Sequence, residues 1–250
     1  MLSSSVLFLA LSVSAAAPTA VFLIGEDEYE TEKTLPEFAT LRLITSGIHC
    51  QFVHANPDPA QGFPGIEKLA EADLLILSVR RRSLPAKQME QLKEYVASGK
   101  PIVALRTTSH GFALRDGKPP AGHAVWPEFD REVLGCRYNN HHGNKGPDDP
   151  QTFLWINGDR RRNRILRDVG WKAGLEVQVT SWLYKSEDLA SDTEVFVWGR
   201  VEGREPKEPV AWTRTKDRRM FYTSLGHPDD FKLPAFQQLL KNAIDWSLDN

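Results

Sequence analysis

Three short apolar runs constrain this chain more than any other feature. They are residues 20–25 (AVFLIG), 73–79 (DLLILSV) and 101–105 (PIVAL). Runs this short and this uniformly apolar mark strands covered on both faces, as in parallel sheets. Stretches with helical spacing alternate with them. Residues 36–46 set Phe38, Leu41 and Ile44 on one face, and Gly47 is a natural stop. Residues 85–98 form the clearest helix: Pro85 suits a first turn, Met89, Leu92, Tyr95 and Val96 make an apolar stripe, and Gly99 ends it. Residues 48–55 read as a second strand and 66–72 as a short helix. Strand and helix in alternation imply right-handed crossovers and a doubly wound α/β fold.

The remainder is less regular. Residues 106–149 read as loop with one helix near 126–134. Strands are expected over residues 176–184, 194–201, 209–215 and 219–224, and Pro234–Leu248 is a closing amphipathic helix. No repeat, linker or low-complexity tract breaks the chain, so residues 18–250 are expected to form one domain. At 250 residues and 41% hydrophobic composition, the chain can bury a sizeable core.

Residues 6–17 (VLFLALSVSAAA) are uncharged, apolar and then small. That pattern fits the hydrophobic core and exit of a signal peptide, and is short for a membrane span. Residues 1–17 are therefore expected to be a leader cleaved near Ala15 or Ala16. The mature protein would be periplasmic or extracellular, with no stable membrane span. The net charge is −2, from 31 basic and 33 acidic residues, so nothing global favours nucleic acid or an anionic membrane. Two cysteines, Cys50 and Cys136, are too few for a disulfide framework. Self-association into a homo-oligomer is left open.

In an open parallel sheet, ligands sit outside the carboxyl ends of the strands. The first apolar run is followed by Glu26, Asp27, Glu28, Tyr29 and Glu30, the next by Arg80, Arg81 and Arg82, and the third by Arg106, Thr107, Thr108, Ser109 and His110. The last strand is followed by Gly226, His227, Pro228, Asp229 and Asp230. Between the halves lies a loop with Asn139, Asn140, His141, His142, Gly143 and Asn144. Four histidines, His110, His141, His142 and His227, thus fall in segments that can converge, and an imidazole serves as acid, base or metal ligand near neutral pH. The arginine run at 80–82 reads equally as a solvated face. The pair Asp229 and Asp230 also suits a cap on the closing helix.

The segments EDEYE, ADLLILSVRRRSL, GKPIVALRTTSHGF, NNHHGN, VAWTR and MFYTSLGHPDDFKLPAFQQLLKNAIDW, in this order, resemble the trehalose-utilisation (ThuA-like) family. The resemblance covers residues 20–249, and the last segment is the most specific. It implies a flavodoxin-like sheet of the class I glutamine amidotransferase-like superfamily. Amidotransferases of that superfamily keep a nucleophilic Cys at the turn after the strand that is PIVAL here. This chain has Leu105-Arg106-Thr107-Thr108-Ser109 at that turn. Arginine cannot act as a nucleophile, so glutamine hydrolysis is not expected.

The family's link to sugars implies a small-molecule carbohydrate as partner, trehalose or a related glycoside or keto-sugar. A hydrolase, lyase or isomerase would work there by acid–base chemistry. His110, His141, His142 and His227 are the candidate catalytic groups. Glu28, Tyr29, Arg106, Thr107, Ser109 and Asp229 are the candidate substrate-binding groups, and Trp126 or Trp182 offers a further stacking surface. The alternative is a non-catalytic sugar-binding or accessory domain. No cofactor is expected. A divalent metal such as zinc would need His110, His141, His142 and a carboxylate, but no HExxH spacing supports it.

Overall fold

The computed structural model describes residues 16–144, 146, 148–205 and 207–249. Apart from its last two residues, Ala16 and Ala17, the expected leader lies outside the described residues. In chain order the strands are β1 (Thr19–Gly25), β2 (His49–His54), β3 (Leu74–Val79), β4 (Leu84–Pro85), β5 (Ile102–Leu105), β6 (His123–Ala124), β7 (Arg137–His141), β8 (Thr152–Ile156), β9 (Val177–Val179), β10 (Tyr184–Glu187), β11 (Glu194–Val201), β12 (Glu208–Arg214) and β13 (Met220–Thr223). The α-helices are α1 (Thr31–Arg42), α2 (Ala86–Ala97) and α3 (Pro234–Leu248).

A nine-stranded sheet runs in the order β2-β1-β3-β5-β13-β12-β11-β8-β9. The strands from β2 to β13 pair in parallel. From β13 onward each neighbour is antiparallel. The parallel half has the flavodoxin-like order, with helices on both faces and added strands beside it. Two short ribbons, β7 with β10 and β4 with β6, stand apart from this sheet.

The apolar runs are continuous because each strand feeds two cores. Ala20, Phe22 and Ile24 of β1 pack with Leu35, Phe38 and Ala39 of α1 and Phe236, Leu239 and Leu240 of α3. Val21 and Leu23, the alternate positions, pack with Met89, Leu92, Tyr95 and Val96 of α2. A strand buried on both faces has few positions for a polar residue, and Ser78 of β3 is partnered by Thr31 at 2.9 Å. Among the described residues, no helix is long and apolar enough to cross a membrane.

Five local expectations are corrected. Helix α1 begins five residues earlier than its spacing suggests, at Thr31, and runs through Pro36. The reason is Glu26, whose buried carboxylate accepts from the Thr31 amide at 3.0 Å and hydroxyl at 2.6 Å. The helix expected near 126–134 contracts to a five-residue turn, Asp130–Leu134, ended by Gly135 at φ 75°. Asp229 and Asp230 do not cap α3: Leu233 precedes it without a side-chain cap, and Pro234 opens it.

The fourth correction matters most for the site. The single strand expected over 176–184 is two strands, β9 on the edge of the large sheet and β10 in the ribbon with β7. The corner between them carries Ser181 and Trp182. Likewise the Asn139–His142 stretch is not a loop, because most of it is β7, paired antiparallel to β10.

Candidate functional site

Strand β5 ends at Leu105, and the chain turns sharply through Arg106, whose φ is +43°. Few non-glycine residues adopt this left-handed conformation, and it persists only where the surroundings fix it. Here they do. The Tyr222 hydroxyl donates to the Arg106 carbonyl at 2.7 Å, and the Ser109 hydroxyl donates to it at 3.2 Å. Thr108 Oγ1 donates to the Leu77 carbonyl and accepts from the Val79 amide, fastening the turn to β3. The backbone amides of Arg81 and Arg82 reach the carbonyls of His110 and Gly111. The loops after β3 and β5 are thereby stitched side by side.

The Arg106 side chain is 1% exposed. Its guanidinium lies 4.0 Å above the Tyr29 ring, 5.1 Å from the Tyr184 ring and 5.8 Å from the Trp182 ring. Nη1 donates to Ser181 Oγ at 3.0 Å and to the Ser224 carbonyl at 2.9 Å. Ser181 Oγ in turn donates to Asp230 Oδ2 at 2.5 Å, and that oxygen also accepts the amides of Gly226 and His227. The buried carboxylate therefore balances the buried cation at one remove. Among the described residues, Nε and Nη2 of Arg106 have no hydrogen-bond partner.

Above this floor, outside the parallel strands' carboxyl ends, lies a cavity of about 70 Å³. Its walls include Glu28, Tyr29, Arg80, Arg81, His110, Arg115, Tyr138, Asn140, His141, Trp182 and Tyr184. A wider chamber of about 600 Å³ shares Arg81, His110, Arg115, Tyr138 and Asn140 with it and adds Ser109, Asn139 and Asp130. His110 faces both. Its ring stacks on Tyr138 with centroids 4.2 Å apart, and its Nδ1 is 3.2 Å from Ser109 Oγ.

The electrostatics are set by burial and by arginine. Burial, aided by the guanidiniums of Arg81, Arg80, Arg106 and Arg115, holds the His110 imidazole well below its usual pKa of 6.5. His110 is therefore a neutral base at physiological pH. Burial pushes Tyr138 up to about 12 and Tyr184 well above 10. Tyr29 also rises, against the pull of Arg106. These phenols keep their protons and are able to donate hydrogen bonds.

Of the residues expected from sequence, Glu28, Tyr29, His110 and His141 line the narrow cavity, and Ser109 lines the wide one. Arg106 and Thr107 lie buried beneath. His227 sits 6.1 Å from the Tyr29 ring, and burial together with Arg106 lowers its pKa. Three residues are not brought in. His142 turns away to Glu208, Nε2 to Oε1 at 2.8 Å, where both side chains are buried. Asp229 lies outside the cavity walls, paired with Lys232 at 2.7 Å, though its carboxylate is 3.5 Å from His227 Nδ1 and its amide donates to that nitrogen at 3.2 Å. Trp126 packs on Phe129 at a separate surface groove and donates to Glu132.

The set that a zinc ion would need is split, because His142 turns away while His110 and His141 line the cavity. Among the described residues, no three His, Cys, Asp or Glu side chains lie where they could hold an ion. Sequence reasoning missed Ser181, Tyr184, Tyr138, Arg115 and Asp230. Arg80–Arg82, which the sequence places after a buried strand but reads equally as a solvated face, divide: Arg80 and Arg81 line the cavity and Arg82 does not. Arg82 is buried and donates from Nε to the Gly25 carbonyl and from Nη1 to the Asn56 carbonyl.

Known proteins place this geometry. The ThuA profile, described as trehalose utilisation, matches residues 20–247. A ThuA-like protein from Bacteroides uniformis superposes with a TM-score of 0.64 at 19% identity, covering 95% of this chain and 94% of that one. A ThuA-like protein from Parabacteroides merdae gives 0.58 at 14% identity, covering 93% and 90%. A β-galactosidase from Rahnella sp. R3 gives 0.52 at 15% identity, covering 94% of this chain and 32% of that one, a likeness of fold alone. A search of curated protein sequences returns no match. With the match spanning nearly the whole chain and the sheet order to go with it, the chain belongs to the ThuA family.

Proposed function

We propose that this protein is an exported carbohydrate-processing enzyme that acts on a sugar, and foremost on a keto-sugar or glycoside, by acid–base chemistry. The observation that carries the reading is His110: a buried, uncharged imidazole facing a polar cavity, with four guanidiniums around it. A neutral base next to fixed positive charge suits removal of a proton α to a carbonyl. The base takes the proton while arginine and phenol N–H and O–H groups stabilise the developing oxyanion. Trp182, Tyr29 and His141 supply ring faces for a sugar. His227 stands beside Tyr29 as a second proton carrier.

Glutamine hydrolysis has no support. Arg106 occupies the turn where that chemistry needs a thiol, and neither cysteine borders the cavity among the described residues. Burial pushes the Cys50 thiol up to about 11 and Cys136 higher still, so neither is a ready thiolate.

The test is a screen of the purified protein against keto-sugars and glycosides, read by NMR for product. Turnover is expected, and His110→Gln should reduce it about 100-fold or more, the usual contribution of a positioned base. Binding without product over long incubation points instead to an accessory sugar-binding domain and sinks the enzyme reading. Fractionation of cells that express the full chain, with amino-terminal sequencing, checks export. The expected mature start is just after Ala15 or Ala16.

A further inference from the structure

The charge around the cavity is lopsided. Arg80, Arg81 and Arg115 line it, and Arg106 lies below its aromatic floor. Three carboxylates oppose them, and each is engaged. Glu28 is held by Arg80 at 2.7 Å. Asp130, in the wider chamber, accepts the amides of Arg131 and Tyr138, both at 2.8 Å. Asp230 is behind Ser181. Among the described residues, Arg81, Arg106 and Arg115 have no carboxylate within ion-pair distance.

Arg115 is exposed, but Arg81 and Arg106 are not simply solvated arginines. Arg81 is half-buried, its backbone is in the left-handed region at φ +48°, and its buried Nε has no hydrogen-bond partner among the described residues. Its Nη1 reaches the Ala113 carbonyl only at 3.5 Å. Arg106, nearly fully buried, likewise keeps two unpartnered nitrogens. A strained backbone and desolvated guanidinium nitrogens without partners cost free energy, offset at Arg106 by its ring contacts and Nη1 bonds but at Arg81 by little inside the protein. An anion would return it, since paired N–H groups of arginine match carboxylate and phosphate oxygens in a plane.

We infer that the ligand of this pocket is an anionic sugar, one bearing a carboxylate or a phosphate group, with that group bound by Arg81 and Arg115. The inference rests on the sugar reading above and narrows it to a substrate class.

Binding calorimetry and thermal shift with glucuronate, glucose 6-phosphate, glucose and inorganic phosphate separate the cases. Glucuronate or glucose 6-phosphate should bind at least about tenfold more tightly than glucose, and the better of the two identifies the group. That preference should shrink as ionic strength rises toward physiological salt. It should fall by about tenfold in Arg115→Gln, an exposed position whose replacement spares the core, and again in Arg81→Gln. Glucose binding as tightly as both anions, and unmoved by either substitution, overturns the inference and leaves the sugar reading intact. Inorganic phosphate binding as well as glucose 6-phosphate, with glucose and glucuronate both inert, sinks the sugar reading and keeps the anion site. Absence of binding by all four overturns the inference.

Discussion

Arg106 and His110 are four residues apart and depend on each other through charge. The first is a cation kept out of water by three aromatic rings. The second is a base kept neutral, by burial first and by guanidiniums second. The sign of the pH effect follows. An unfolded histidine takes its proton near pH 6.5, whereas His110 takes one only well below that. Protonation therefore favours the unfolded chain. Stability should fall as pH drops through 6.5 toward the folded value, and His110 contributes no slope above 6.5. His227, also lowered, adds the same sign. Melting temperatures between pH 7.5 and about 5 check this, with the acid limb shallower in His110→Gln. An acid limb equally steep in that variant would show that His110 is not the group responsible.

At the scale of elements, the site depends on segments whose sequence patterns conceal a bend. From Val177 to Leu183 inward and outward positions alternate without a break, with Val179, Ser181 and Leu183 buried. A period of two is what a straight strand shows, so the sequence reads as one strand although the chain changes sheets midway. The corner then delivers Ser181 to Arg106 and Trp182 to the cavity. Strand β7 was hidden for another reason: Asn139, Asn140 and His141 are polar and poor strand formers, and only pairing with β10 makes them one. The acidic loop after β1 is the counterexample, since its position at a strand end was legible from the apolar run before it. Its order comes from Glu26, which accepts the amides of Glu28, Tyr29 and Thr31 and the Thr31 hydroxyl. Glu26→Ala leaves these donors unsatisfied and should destabilise by about 2–4 kcal/mol in denaturant unfolding. Amide exchange at Glu28 and Tyr29 should speed up with it. Unchanged exchange there would mean that Glu26 does not hold the loop.

Across the whole molecule, the parallel half and the antiparallel half contribute different parts. The parallel strands supply the turn at Arg106 and the loops of Glu28 and Arg81. The loop after β13, also a parallel strand, supplies His227 and Asp230, and the chain from β9 to β10 supplies Ser181 and Tyr184. The first half was readable because strands buried on both faces announce themselves. The later strands β11, β12 and β13 were also found, but the partners of each were not, since antiparallel register is set by long-range pairing. Within the parallel half, single atoms count. Gly25, the last residue of β1, has no room for a methyl group: a Cβ there would lie 2.7 Å from Arg82 Nε, 2.8 Å from Phe63 and 2.9 Å from Ala55. Overpacking of this kind costs about 1–3 kcal/mol. Gly25→Ala should do more than that, because the displaced Arg82 is covalently next to Arg81. Substrate affinity should fall further than the loss of stability accounts for. In a saturation scan scored by activity, position 25 should look like a residue that handles substrate, although a ligand in the cavity never touches it. Intolerance to mutation here reports the geometry of a neighbour, and a map of fitness should not be read as a map of contact.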